Sequence, residues 1–318
     1  MTGSSIARTI RAMSADPRFA YVRGLRPGGH LRVIAPSGPF DRERFDRGVM
    51  RLRERYTVTF DDGLFAKDAY LAGSDARRVG ELHAALEDDA VDAIAAVRGG
   101  YGAMRLLPSI DLALVARSKK LLVGFSDVTC LHVVWQRAGL RSLHGSMVAA
   151  LGVLPEERVA RWTRAVEGYV PFTAHEPSWK TRGRVAAPLV GGNLANLAAL
   201  AGTPFFPPVD GCVLLIEDVG EAPYRVDRLL TTLRLAGVFE RVVGVVVGDF
   251  TRCGPGEDGK TVGAVLQERL GDLGLPVVMH VPVGHDDAEN WEVTLGGLVE
   301  LDADRGVVTF LQGAVAPG

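Results

Sequence analysis

Ser126 stands in a turn of the kind that serine hydrolases use to present a nucleophile. The turn, residues 124–127, follows an apolar run over 121–123 that predicts a buried strand, and a helical pattern begins at Val128. A serine at such a turn exposes its hydroxyl, and the next backbone N–H lies at a helix N-terminus, where it can stabilise an oxyanion. These residues alone leave open the alternative that Ser126 or Asp127 only caps the helix.

A serine nucleophile needs a general base, usually histidine, and a third group that orients the base. The chain has seven histidines. His285 is the best placed, because it follows an apolar strand and a glycine in a loop. Glu217 ends the most apolar strand of the second half, where a buried carboxylate is costly unless it is paired. From spacing alone, Glu217 could equally be a solvent-exposed acid in a loop. The remaining histidines considered lie in helical patterns (His83, His132) or lack a partner motif (His144, His175).

A glycine-rich turn over 98–102 also follows an apolar strand. Glycine permits close approach of the backbone, so the N–H groups of Gly100 and Asp127 are the predicted oxyanion hole. A plain turn or a phosphate loop is the alternative. The turn lacks the further glycine of a dinucleotide fingerprint and the lysine of a P-loop, so we expect no nucleotide cofactor.

The three cysteines, Cys130, Cys212 and Cys253, form no Cys-x-x-Cys pair, and the histidines lack metal-ligand spacing. We therefore expect no metal and no cofactor. The odd cysteine count fits a reducing compartment.

The elements that position these residues alternate between strand and helix. Strands are predicted over 31–35, 56–60, 93–97 and 121–124, with helices over 41–56 and 75–88 between them. Nearly continuous apolar strands alternating with helices predict a parallel sheet covered on both faces. Ligands bind such sheets beyond the carboxyl ends of the strands, so the turns at 98–102 and 124–127 are expected to converge.

The second half repeats the α/β pattern and ends in alternating strands. Strands are predicted over 213–216, 242–247 and 277–279, with helices over 224–235 and 261–270, and residues 292–310 read as antiparallel strands. The predicted fold is α/β, with a parallel-sheet nucleophile domain followed by an α/β domain of mixed or antiparallel strands. The predicted division is a loosely attached extension over 1–29 (partly helical over 6–13), a serine domain over 30–170, a linker over 171–182 and a second domain over 183–318.

Composition excludes several partner classes. The 318 residues carry 36 basic and 38 acidic side chains, a net charge of −2, which argues against nucleic acid and against a basic membrane-binding face. The N-terminal residues contain no apolar signal region and no run reaches the length of a membrane span, so we expect a cytoplasmic protein. The apolar content of the second half permits a homodimer.

Several of these segments together resemble the serine LD-carboxypeptidase family, which includes murein tetrapeptide carboxypeptidases and microcin-immunity hydrolases. The similarity spans about residues 31–300 in the family's order. The matching segments are 33–38, 98–102, 124–129, 191–194, 217–228 and 284–285.

The resemblance implies a Ser–His–Glu triad, with Ser126 as nucleophile, His285 as base and Glu217 as the acid that orients it. It implies two domains, with the serine on the first and the other two residues on the second. The implied reaction is hydrolysis of the L,D-amide bond that releases terminal D-alanine from murein tetrapeptides during peptidoglycan recycling. Such a substrate ends in a carboxylate. The predicted substrate contacts are Arg98, Tyr101, Arg105 and Asn193.

Two alternatives remain at this point. The same triad could hydrolyse an amide in an aminoacyl-nucleotide antibiotic, as the immunity branch of the family does. A two-lobed binding protein without catalysis is the other alternative, and it requires that Ser126, Glu217 and His285 lie apart in space.

Overall fold

The structure is a computed structural model, and it describes residues 18–168, 172–175, 181–286 and 289–316. Its strands form two sheets of six and seven strands with helices packed against them. The predicted α/β class, with one largely parallel sheet and one mixed sheet, is confirmed.

The first sheet has the strand order β11-β5-β4-β3-β1-β2. Its strands are β1 (His30–Ile34), β2 (Thr57–Thr59), β3 (Ala93–Ala96), β4 (Leu121–Gly124), β5 (Ser142–His144) and β11 (Val293–Leu295). β1 to β5 pair in parallel, and every residue of β3 and β4 is buried, as expected for a sheet covered on both faces.

The edge strand β11 comes from the C-terminal part of the chain. It pairs antiparallel with β5, with Val293 opposite His144 and Leu295 opposite Ser142. Residues 292–310 were expected to form strands of the second half, and this strand instead completes the first sheet. Alternating residues reveal a strand but not its partner, because pairing is decided by tertiary contacts.

Two helices of the first half that the sequence predicts begin at side-chain caps. Asp41 accepts a hydrogen bond from the Arg44 N–H at 2.8 Å, and Ser74 accepts one from the Arg77 N–H at 3.3 Å. The helices are α1 (Arg42–Arg53), α2 (Asp75–Glu87), α3 (Leu112–Ser118), α4 (Thr129–Arg137), α5 (Val148–Leu151) and α6 (Glu156–Glu167).

The second sheet has the order β10-β9-β8-β7-β12-β13-β6. Its strands are β6 (Phe172–His175), β7 (Arg184–Asn193), β8 (Val213–Val219), β9 (Gly244–Thr251), β10 (Val277–Val278), β12 (Leu298–Asp302) and β13 (Val307–Phe310). β7 to β10 pair in parallel and the remaining strands antiparallel. Helices α7 (Leu194–Leu200), α8 (Pro223–Leu235) and α9 (Val262–Gly271) connect the parallel strands.

Two segments differ from their predicted roles. Part of the predicted linker over 171–182 is the edge strand β6, which pairs with β13. Its short, half-exposed pattern gives little periodic signal, since one residue of the four is buried. The extension over 1–29 was expected to be loosely attached, yet Leu25 is fully buried and joins the core of the first sheet. The predicted helix over 6–13 lies outside the described residues.

We retain the division into a serine domain over 30–170 and a second domain over 183–318 as a proposal, with β11 crossing it. In the part of the chain that the structure describes, no helix is both long and apolar enough to cross a membrane.

Candidate active site

Ser126 lies just beyond β4 in a strained backbone conformation. Its φ is +64°, in the left-handed region that residues with a side chain rarely adopt. A short 3₁₀ turn, Ser126–Val128, leads directly into α4. Neither the turn nor α4 has a side-chain cap hydrogen bond, so the helix-cap alternative does not account for Ser126. The geometry is that of a sharp strand-to-helix turn with its serine at the bend.

The side chain of Asp127 holds the glycine-rich turn against Ser126. Asp127 is buried, and its carboxylate accepts a hydrogen bond from the Ala103 N–H at 2.8 Å. A Cβ added to Gly99 would lie 2.9 Å from Ser126 Cβ and 3.0 Å from its Oγ, so only glycine fits there without displacement. Gly100 has a φ of +112°. The two turns therefore converge, as the sequence predicted, and the backbone N–H groups of Gly100 and Asp127 belong to adjoining turns.

Glu217 and His285 form a hydrogen-bonded pair. His285 Nδ1 lies 2.7 Å from Glu217 Oε2, and Nδ1 is the donor because an ionised carboxylate can only accept. Glu217 is fully buried inside β8, so the alternative of an exposed loop acid is wrong. Gly284 is needed beside the pair, because a Cβ there would lie 3.2 Å from Glu217 Oε2 and its φ is +148°.

Two histidines pack against Phe125 and a third stacks on one of them, and the three differ in their environments. The rings of His285 and His144 lie 4.8 and 5.7 Å from the Phe125 ring, and His132 stacks on His144 at 6.3 Å. Burial lowers the pKa of His132 to about 4 and that of His144 well below its usual value. Burial also acts to lower the pKa of His285, but the hydrogen bond and charge of Glu217 outweigh it and raise the pKa overall. Of these three histidines, His285 is therefore the one whose imidazole is made more basic by a neighbouring carboxylate.

The two halves meet close to Ser126. Thr129 Oγ1, in the first turn of α4, accepts a hydrogen bond from the Asn193 N–H at 3.0 Å. A Cβ on Gly192 would lie 2.6 Å from the same oxygen, so glycine at this position lets β7 approach α4. Asn193 is also paired with Glu217 in the sheet. These contacts bring the serine turn to the edge of the second sheet that carries Glu217.

The four predicted substrate contacts occupy different environments. Arg98 donates to the Pro39 carbonyl at 2.8 Å, and Arg105 is held by Asp75 at 2.8 Å. Tyr101 is exposed, with its ring 5.8 Å from that of Tyr70.

Asn193 is buried, and its side chain makes hydrogen bonds within the second half. Its Oδ1 accepts from the Asn196 N–H at 3.1 Å, which caps α7, and its Nδ2 donates to Asp218 at 2.9 Å. One Nδ2 hydrogen takes no part in these hydrogen bonds, so a substrate contact through it would leave them in place.

Sequence reasoning missed two charged residues near the pair. Asp218 is buried beside Glu217, and burial raises its pKa to about 6. Arg252 is exposed, has a φ of +55°, and its positive charge acts on His285. Among the described residues Arg252 makes no hydrogen bond and no ion pair. Its position directly after the apolar strand β9, at the edge that holds Glu217, is the signal that could have identified it.

Two cavities are lined by residues next to Ser126 and His285 in the sequence. One of about 330 Å³ is lined by Arg98, Phe125 and Met147, and another of about 390 Å³ is lined by Arg252, Asp249 and Asp286. The described residues contain no group of three or more histidine, cysteine or acidic side chains arranged to hold a metal ion.

The sequence matches two domain families. Residues 31–145 match the LD-carboxypeptidase N-terminal domain, and residues 186–301 match the LD-carboxypeptidase C-terminal domain. A Streptomyces coelicolor protein named as a carboxypeptidase is 40% identical over 306 residues, which cover 92% of this chain and 97% of that protein. The murein tetrapeptide carboxypeptidase of Pseudomonas aeruginosa is 32% identical over 294 residues, covering 87% of this chain and 94% of the relative.

Solved structures share the architecture. The muramoyltetrapeptide carboxypeptidase of Oxalobacter formigenes superposes with a TM-score of 0.82 at 28% identity, covering 91% of this chain and all of the other. MccF in complex with glutamyl sulfamoyl guanosine superposes with a TM-score of 0.83 at 20% identity, covering 93% and 99% of the two chains. At that identity the second likeness shows the fold alone.

Proposed function

The chain belongs to the LD-carboxypeptidase family of peptidases, and from this premise we propose that it releases terminal D-alanine from murein tetrapeptides. The nucleophile is Ser126, the general base is His285, and Glu217 orients the base. The Glu217–His285 hydrogen bond of 2.7 Å is the observation that carries the proposal. It leaves Nε2 of the imidazole as the nitrogen that can accept the serine proton.

In the first step Ser126 Oγ attacks the carbonyl carbon of the L,D-amide bond, and its proton passes to His285 Nε2. The carbonyl oxygen becomes an oxyanion between the N–H groups of Gly100 and Asp127. When the tetrahedral intermediate collapses, the C–N bond breaks and His285 returns its proton to the leaving amine of D-alanine. The product is an ester of Ser126 with the shortened peptide.

In the second step water replaces the amine. His285 Nε2 takes a proton from the water, the hydroxide attacks the ester carbonyl, and the proton returns to Ser126 Oγ as the C–O bond breaks. Glu217 stabilises the imidazolium that forms in both steps, without itself taking the proton. No metal or cofactor is part of this scheme, so hydrolysis should continue in excess EDTA.

The terminal carboxylate of the substrate requires a cation. Arg105 is held in an ion pair with Asp75, whereas Arg98 directly precedes Gly99 at the serine turn and makes one side-chain hydrogen bond among the described residues, to a backbone carbonyl. Arg252, whose charge acts on His285, is the second candidate. Replacing the correct arginine by glutamine should raise KM for a tetrapeptide by roughly 10- to 100-fold, the worth of a charge-assisted hydrogen bond. An unchanged KM in both variants would remove both assignments.

The deciding experiment compares two tetrapeptides that differ only in the configuration of the last alanine. The oxyanion hole fixes the carbonyl and an arginine fixes the carboxylate, so inversion at the α-carbon exchanges methyl and hydrogen and displaces the carbonyl. Loss of one oxyanion donor costs roughly 10²- to 10³-fold, and we expect discrimination of at least that size in favour of D-alanine. Equal release of both alanines would contradict the proposal.

A second candidate reaction uses the same residues on an aminoacyl sulfamoyl nucleoside. The likeness to MccF, whose complex contains such a ligand, favours testing it. Cleavage of that compound with no cleavage of either tetrapeptide would make it the better assignment. The binding-protein alternative is weakened, because it needs Glu217 and His285 to lie apart.

We place the reaction in the cytoplasm, where tetrapeptides recovered from the cell wall would be shortened for reuse.

A further inference from the structure

We propose that Arg158 and Arg161 of α6 are positioning residues that, through Asn290, fix the loop carrying His285. We call these three residues the arginine clamp. The inference rests on the proposed role of His285 as general base. It concerns contacts that lie outside the Glu217–His285 pair and that join the serine half of the chain to the histidine loop.

The clamp converges on one residue of the loop. Arg158 Nη2 donates to the backbone carbonyl of Asn290 at 2.8 Å, and Arg161 Nη2 donates to the same oxygen at 2.9 Å. The side chain of Asn290 then turns back, and its Oδ1 accepts a hydrogen bond from the Gly284 N–H at 3.1 Å. Gly284 immediately precedes His285, so two arginines of α6 act on the base through a single residue.

Neighbouring residues secure the same end of the loop. Arg161 Nε lies 3.1 Å from Glu292 Oε2, and its guanidinium carbon lies 4.7 Å from the centre of the Trp291 ring. The backbone N–H of Trp291 donates to the Pro282 carbonyl at 2.8 Å. Residues on both sides of His285 are therefore tied together at the base of the loop.

The residues of this network are buried, so their polar groups depend on one another for hydrogen bonds. Arg158, Asn290 and Glu292 are 5%, 4% and 6% exposed. A buried charge that loses its partner is strongly destabilised, so the network favours one arrangement of the loop over others. The helix beneath it is well anchored, because Trp162 is fully buried and its Nε1 donates to the Ser146 carbonyl at 3.0 Å.

The loop needs such support. Between β10 and β11 the described residues form no helix and no strand, and Gly284 has a φ of +148° that other residues avoid. Proton transfer from Ser126 requires the imidazole to be held within a fraction of an ångström, and a displacement of 1 Å can cost on the order of 100-fold in rate. Because α6 belongs to the serine half, the clamp sets the base relative to the nucleophile. Loss of the clamp should therefore reduce kcat and leave substrate binding little changed.

The test compares Asn290→Ala, which removes the acceptor for Gly284, with Asn290→Asp, which keeps it. Arg158→Gln/Arg161→Gln removes the other side of the clamp, and Arg164→Gln, an exposed arginine of the same helix, is the matched control. With a murein tetrapeptide we expect kcat to fall roughly 10- to 100-fold in Asn290→Ala and in the double variant, with KM within about threefold. Asn290→Asp should recover most of the loss, and Arg164→Gln should resemble the wild type.

A second readout does not depend on catalysis. The His285 Nδ1 proton, bound to Glu217, should give a far-downfield proton NMR resonance, identified by its loss in His285→Gln. It should broaden through exchange with water in Asn290→Ala and in the double variant, below their unfolding temperatures. If Asn290→Ala and the double variant keep the resonance with an unchanged kcat, or show only a rise in KM, the clamp is overturned. If the wild type cleaves no tetrapeptide, the proposed substrate fails and the resonance alone decides the clamp.

Discussion

Ser126 combines an unfavourable backbone with a position where that backbone is useful. A non-glycine residue at φ of +64° costs on the order of 1–3 kcal/mol, which the surrounding structure must offset. The bend directs the side chain away from the sheet and towards the turn that carries Gly99. Strained backbone is common at catalytic sites, where it holds a nucleophile in an exposed position. An ordinary helix start does not require it.

Replacing Ser126 by alanine should therefore abolish hydrolysis and leave the fold intact, because one oxygen is removed from a partly exposed turn. We expect kcat to fall by roughly four to six orders of magnitude, as when a member of a catalytic triad is removed. The midpoint of thermal unfolding should stay close to that of the wild type. Retention of more than about a tenth of the turnover would argue against Ser126 as nucleophile.

The charge of Glu217 sets the pH dependence of the reaction. Burial lowers the pKa of His285, and the hydrogen bond and charge of Glu217 raise it above its ordinary value. The imidazole must be neutral to accept the serine proton. The rate should therefore fall as the pH drops through this raised pKa, and the acid limb of kcat/KM should lie above pH 6.5, the ordinary value for histidine.

In Glu217→Gln the burial that lowers the pKa of His285 remains, and the carboxylate charge of Glu217 that raises this pKa is removed. The acid limb should move to lower pH, and the plateau of kcat/KM should fall by on the order of 10⁴, because the imidazole loses its orienting carboxylate. The pH profile of the purified variant gives both quantities. An acid limb that stays in place would show that Glu217 does not govern His285.

At the scale of elements, the glycine-rich turn has to fit closely against the serine turn. Alanine at position 99 would bring a methyl carbon within 2.9 Å of Ser126 Cβ, shorter than van der Waals contact allows. The serine turn must then shift by several tenths of an ångström. We expect Gly99→Ala to lower kcat by roughly 10- to 100-fold.

Gly80→Ala is the matched control for this prediction. Gly80 lies in α2 with no atom within 4 Å of an added Cβ, so alanine there should raise the free energy of unfolding by about 0.5–1 kcal/mol without affecting kcat. A normal kcat in Gly99→Ala would show that the serine turn tolerates the shift, and would weaken the assignment of Gly100 to the oxyanion hole.

The elements were largely predictable, and their long-range partners were not. Asp41 and Ser74 mark helix starts by local hydrogen bonds, so α1 and α2 were predicted to within a few residues. Ser126, Glu217 and His285 were each weak candidates by spacing, and the combination of motifs selected them. The pairing of β11 with β5, the strand β6 and the arginine clamp depend on contacts between residues far apart in the sequence, which no local pattern contains.

At the scale of the whole molecule, the two halves are interlocked. Besides β11, the two ends of the chain meet, with Val22 against Val315, and the neighbouring Ala20 pairs with Leu140 of the serine half. Arg141 lies at this junction and is only 6% exposed. It donates to the carbonyls of Phe19 at 3.1 Å and Gly313 at 2.9 Å, and to Gln312 Oε1 at 2.8 Å.

We therefore expect the protein to unfold in a single transition, although a chain of this length can hold two independent cores. Neither half can unfold alone without stripping an edge strand from the first sheet and leaving the buried Arg141 unpaired. Differential scanning calorimetry should give a van't Hoff enthalpy close to the calorimetric one. Arg141→Met should lower stability by on the order of 2–4 kcal/mol, since the carbonyls of Phe19 and Gly313 lose their donor, and it should keep one transition. Two resolved transitions in the wild type would mean that the halves fold independently. The relative position of Ser126 and His285 would then rest on local contacts between the halves, such as the arginine clamp, the Thr129–Asn193 hydrogen bond and the Phe125–His285 ring contact.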